Sequence, residues 1–299
     1  MKKGILAVIA VVVVLGLLGL GWWLIRDRSE DAGPTEAVAH SPTLTPEQRA
    51  EAVRKAIETH RHWWREASYV DIRQAAMDGD RVAQRRLSEV YEDCRTYAGP
   101  LSSNLRTLSQ LSGADPASKP TIAAVFDEFR RLCVQADADM RKTPDIANYW
   151  LHRSAKAGDL TSQMRYVART TNQIGFGKMR YFVEELRNSG DPDAMFEMTT
   201  LAPRLNDRWP DKAQAAAFEG AVGQRAWSLA ACRAGYDCGR GSRMMNMLCV
   251  SMFACNQPDF PTYQSVNREA TIDPAKVEAA VKVINGVVMN PSVPLPTEG

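Results

Sequence analysis

Residues 72–91 read IRQAAMDGDRVAQRRLSEVY, and this stretch decides the fold. An apolar-periodic segment runs up to Gly79-Asp80, and a second one follows. Glycine tolerates the left-handed conformation that closes a first helix, and aspartate accepts hydrogen bonds from the free N–H groups that open a second. The unit is therefore an αα-hairpin. Two later stretches repeat the pattern: NYWLHRSAKAGDLTSQMRYV from Asn148 turns at Gly158-Asp159, and FVEELRNSGDPDAMFEMTTL from Phe182 turns at Gly190-Asp191. Ala75, Ala76, Ala83, Ala155, Ala157 and Ala194 flank these corners, and such small side chains let two helices approach closely at the bend.

The segment DIANYWLHRSAKAGD, residues 145–159, is the best copy, with Thr143 and Pro144 as cap and first turn. Here the sequence resembles the tetratricopeptide-type helical repeats, in particular their Sel-like branch, in which a helix ending in Ala-x-x-Gly-Asp precedes a helix carrying Ala and Leu. The corners are 79 and then 32 residues apart, which is no fixed period. The expectation is an all-α chain, an irregular α-solenoid of αα-hairpins behind one N-terminal transmembrane helix.

That membrane helix is read from residues 5–25. No charge interrupts Gly4 to Ile25, and fourteen side chains in the run are Leu, Ile or Val. A run of about 20 apolar residues rises about 30 Å as a helix, enough to cross the hydrocarbon core. The run ends in Trp22-Trp23-Leu24-Ile25-Arg26 rather than a small-x-small cleavage site, so it reads as a retained signal anchor with an aromatic belt. It has no G-x-x-x-G, which predicts no dimer through it.

Lys2 and Lys3 on one side nearly balance Arg26 and Arg28 on the other. The six cysteines, Cys94, Cys133, Cys232, Cys238, Cys249 and Cys255, settle the orientation, because an even set with no C-x-x-C pair suits disulfides in an oxidising compartment. The expected location is the bacterial inner membrane, single-pass, with a cytoplasmic amino terminus and a periplasmic body.

The division that follows is 1–26 anchor, 27–44 flexible linker, 45–209 helical-repeat domain, 210–289 disulfide-stapled helical module and 290–299 disordered tail. Thr45-Pro46-Glu47-Gln48 is a capping box, opening a helix toward Ala67. Val53, Ile57, His60 and Trp64 share one face of it, which predicts that they enter the core. His60-x-His62 is a poor metal pair, since residues two apart on a helix diverge by about 200°. A loop is expected over 97–119 and a helix from Pro120 to Arg141. Asp137 and Asp139 lack the glycine of a calcium loop and read as a solvated helix face.

A further helix is expected over 211–234. Beyond it, five, ten and five residues separate the last four cysteines, and two nested or interleaved bridges among them would pin a hairpin, with three pairings open. Cys94 and Cys133 remain as the other pair. The Trp227-to-Cys255 pattern resembles bacterial envelope proteins of unassigned activity. Met244 to Phe253 reads as core packing, and a last helix follows Asp273-Pro274.

The formal charge of +2 is spread along the chain, without the basic stripe that nucleic acid requires. There is no G-x-S-x-G, H-E-x-x-H or P-loop, and Gly175-Phe176-Gly177 reads as a loop between helices. No catalytic residue, cofactor or metal is assigned. The expected function is non-enzymatic, a scaffold taking a protein or peptide partner in a groove between hairpins. The rival is an envelope enzyme such as a cell-wall hydrolase recruiting Glu184 or Glu185, and a third possibility is a spacer or oligomerisation element.

Overall fold

The computed structural model describes residues 45–98, 119–206, 209–252, 254–267, 272–290 and 293–297. The expected membrane span, the linker and most of the 97–119 loop lie outside the described residues. Among those described, no helix is long and apolar enough to cross a membrane.

The described chain is all-helical. Helix α1 spans Pro46–Arg61 and continues as a π-turn through Glu66. Then come α2 (Tyr69–Asp78), α3 (Arg81–Asp93), α4 (Lys119–Lys142), α5 (Ile146–Lys156), α6 (Leu160–Thr170), α7 (Phe176–Ser189) and α8 (Pro192–Leu201). The short α9 (Lys212–Ala215) precedes α10 (Gly220–Ala234), α11 (Arg243–Met252), α12 (Phe260–Asn267) and α13 (Pro274–Met289).

Local hydrogen bonds account for the corners. Gly79, Gly158 and Gly190 have φ of 103°, 86° and 62°. Asp80 accepts from the Val82 and Ala83 N–H groups, Asp159 from Ser162 and Asp191 from Asp193. Each aspartate thus satisfies donors that a helix start leaves free. The hairpins α2/α3 and α5/α6 close tightly, whereas α7 and α8 make few contacts with each other, and α7 packs more on α13.

Helix α3 is the hub. It packs on α2, along α5 and against α4, and ten of its thirteen residues are buried. One core cluster joins Ile72, Leu87 and Val90 to Leu132 and Trp150. A larger one joins Met164, Phe182, Leu186 and Met198 to Trp227, Val281 and Ile284, so apolar side chains from both sides of residue 209 share one interior. A third seats Cys249, Val250 and Cys255 of the cysteine-rich segment on Ile122, Val125, Phe126 and Phe129 of α4.

Several expectations are corrected. The cysteines pair sequentially, as Cys94–Cys133, Cys232–Cys238 and Cys249–Cys255, so neither late bridge spans the hairpin. Each instead ties the last part of a helix, α10 or α11, to the chain just beyond it. The helix over 211–234 breaks between Ala215 and Gly220, where Gly220 has φ of 56° and the Ala217 carbonyl receives the indole N–H of Trp227 at 2.7 Å. Asp139 is partly buried and does more than face solvent: it accepts from the Tyr69 hydroxyl at 2.8 Å and from Arg73 at 2.8 Å. Burial, with Asp139 beside it, pushes Tyr69 up to about 12. In the tail, Leu295 packs against the large core cluster.

Candidate functional site

Of the face expected in the core, Trp64 packs against the cluster around α3, whereas Ile57 and His60 line a groove of about 750 Å³ whose other wall is the carboxy-terminal end of α10, the turn from Gly235 to Gly239, and the start of α12. Ile57 keeps 36% of its surface, and Leu229 and Pro261 supply further apolar lining. Arg65 pairs with Asp237 across the groove at 2.7 Å, and Arg233 pairs with Glu278 at 2.6 Å. The groove therefore has an apolar base and a charged rim.

At its inner end stands His60. Its Nδ1 lies 2.9 Å from Asp193 Oδ2, its ring stacks on Trp64 at 4.2 Å, and its Nε2 has no hydrogen-bond partner among the described residues. A carboxylate on Nδ1 fixes the orientation of the ring. Tyr236 lines the groove beside His60, stacked on Phe196 at 4.2 Å, and burial raises its hydroxyl well above the usual phenol range.

Behind the groove lies a buried network of charges on α3, α6, α8 and α11. Arg85 bonds Asp193 at 2.6 Å and lies 3.1 Å from Asp159. Glu89 accepts from Arg165 and from the Trp64 indole, Arg165 also holds Glu197, and Arg243 grips Asp93 through two bonds at 2.8 and 2.7 Å. Burial alone would raise Glu89, but Arg243, Arg165, Arg85 and Arg86 outweigh it and hold the carboxyl far below its ordinary range. The same competition, with His60 and Arg85 prevailing over burial, depresses Asp193. The cavity within this network measures about 10 Å³, too small for a ligand. Such a network orders helices, and it sets the position of His60 through Asp193.

Of the residues singled out from sequence, Asp159 and the Gly190-Asp191 corner meet at Arg85, since Asp159 pairs with it and Asp191 caps the turn bearing Asp193. Gly79 and Asp80 do not join them. Cys232 and Cys238 line the groove, while Cys94–Cys133 and Cys249–Cys255 sit in cores. Glu184 and Glu185 lie half-buried on α7 and line none of the cavities described. Sequence reading missed the His60–Asp193 pair, whose members are 133 residues apart, and no local pattern announces it. Comparison with known proteins finds no family model, no curated protein and no solved structure that matches this chain.

Proposed function

We propose that this chain is a membrane-anchored binding protein of the bacterial cell envelope, with an irregular helical-repeat body in the periplasm that takes a peptide segment of a partner protein. The observation that carries the reading is the groove between α1 and α10, about 750 Å³, open and lined by Ile57, Leu229 and Pro261 beneath ion-paired arginines. An apolar base supplies affinity and a polar rim supplies orientation, as peptide sites require. The apolar run at residues 5–25 and the disulfide-paired cysteines support the location.

The test is photo-crosslinking in intact cells from the exposed groove positions Arg61 and Arg233, with Arg130 on α4 as a position outside the groove. Capture of one protein from both groove positions and not from Arg130 is the expected result. Equal capture from all three would remove the groove from the account. The second reading, a hydrolase acting on cell-wall material, is favoured by His60, held by a carboxylate at the inner end of the groove. Release of soluble fragments from purified cell wall, lost in His60→Ala, would favour it over the first.

A further inference from the structure

The three disulfides stand in different surroundings. Cys94 and Cys133 are packed among Leu87, Val90 and Leu132, and Cys249 and Cys255 rest on α4. Cys232–Cys238 forms part of the groove wall, and Cys232 is the one cysteine of the six that is only half-buried. Arg61, Arg65 and Arg233 line the same groove, each paired with a carboxylate, Glu66, Asp237 and Glu278. Access to the sulfur is what an attacking thiolate needs.

We propose that Cys232–Cys238 is a thiol–disulfide exchange site whose substrate is a thiol entering the groove, either a small thiol or a peptide cysteine. The incoming thiolate attacks Sγ of Cys232, the S–S bond breaks, and Cys238 leaves with the electron pair and takes a proton from water. Attack at Cys232 is the favoured direction. It is the more exposed partner, and it stands in the last turn of α10, whose negative end opposes a thiolate at that position. A second thiolate then attacks the substrate sulfur of the mixed disulfide and releases Cys232, which is protonated. Two substrate thiols become one disulfide, and Cys232–Cys238 becomes two thiols. The site shares the groove with the binding reading without resting on it, because a free small thiol suffices.

The experiment uses the full chain in mild detergent with glutathione as the probe. Reduced glutathione is added, samples are trapped with an alkylating agent over time, and each cysteine is followed by mass spectrometry while near-ultraviolet circular dichroism monitors the fold. The expected result is alkylation of Cys232 and Cys238 at least tenfold faster than of the other four, with the fold retained, and a glutathionyl adduct on Cys232 in Cys238→Ser exposed to oxidised glutathione. Reduction of all three bridges at one rate, or reduction of Cys232–Cys238 only as the fold is lost, would overturn the proposal. If Cys238→Ser does not fold, the rates in the unaltered chain decide.

Discussion

Arg85 Nη1 lies 2.6 Å from Asp193 Oδ2, deep between α3 and the first turn of α8. The same guanidinium reaches Asp159 at 3.1 Å, an ion pair without an aligned hydrogen bond. One side chain of the first hairpin thus meets the corners of the second and third. Neutralised by both carboxylates against the cost of burial, Arg85 stays charged, and its removal takes away the ion-pair partner of buried Asp159 and leaves buried Asp193 to His60 alone among the described residues.

Arg85→Ala should therefore lower the unfolding free energy by about 3–5 kcal/mol. Arg54→Ala, whose partner Glu51 is exposed, should leave stability nearly unchanged. Urea titration of the two variants checks the contrast, and a loss below about 1 kcal/mol for Arg85→Ala would show that the corners hold without it.

The corners were legible because their chemistry is local: Asp80 meets N–H groups two and three residues on, so glycine followed by aspartate specifies the turn by itself. The capping box at Thr45 and Gln48 is legible for the same reason. The burial of charge on α3 is not legible: Arg85, Arg86 and Glu89 are each at most 5% exposed. The partners of Arg85 and Glu89, namely Asp193, Arg165 and Arg243, come from three other helices, and polar-outside patterning inverts when charges neutralise one another inside. The place of His60 is not legible, because a shared face says that residues point together, not what they point at. Sequential pairing of the late cysteines is not legible either, because three pairings fit the same spacing.

Asp191 gives a pH signature. Burial and the neighbouring Asp193 raise its carboxyl to about 6, although Arg85 and the cap hydrogen bond oppose them. A group that binds its proton more tightly when folded lends stability at low pH that is lost as pH rises from the ordinary 3.8 through 6. Glu89 and Asp193, depressed in the folded state, behave oppositely and lose their contribution as pH falls through and below the ordinary carboxylate range. Asparagine caps a helix about as well as aspartate, so Asp191→Asn removes the titration alone. Its stability relative to the unaltered chain should improve by about 1 kcal/mol between pH 4.5 and 7, a figure discounted for the carboxyl's partial contact with solvent. A difference that stays flat with pH would assign Asp191 an ordinary titration.

The disulfides should differ in what their loss does. Cys94–Cys133 closes a separation of 39 residues and ties α3 to α4, whereas Cys232–Cys238 closes six. Chain entropy assigns them about 4 and about 2 kcal/mol. Paired Cys→Ser replacements followed by thermal melts should show the larger drop for the first pair. The reverse order would mean that the groove wall depends on its bridge more than loop closure explains.

Gly235 closes α10 at φ of 111°, and a Cβ there would stand 2.4 Å from Ile57 Cδ1 across the base of the groove. Gly79 has nearly the same backbone, φ of 103°, with nothing within 4 Å of its would-be Cβ. Alanine at either site meets the left-handed penalty of about 1 kcal/mol. Only Gly235→Ala adds a clash, and it falls on the free end of a side chain that is already 36% exposed, so Ile57 should swing into the groove rather than unfold the helix. The two variants should then melt within about 1 kcal/mol of each other. Crosslinking from Arg61 should fall in Gly235→Ala alone and recover when Ile57→Val is added, which removes the clashing Cδ1 and keeps an apolar base. Recovery would locate the defect in the shape of the groove, whereas persistent loss in the double variant would trace it to the turn that carries Tyr236 and Asp237.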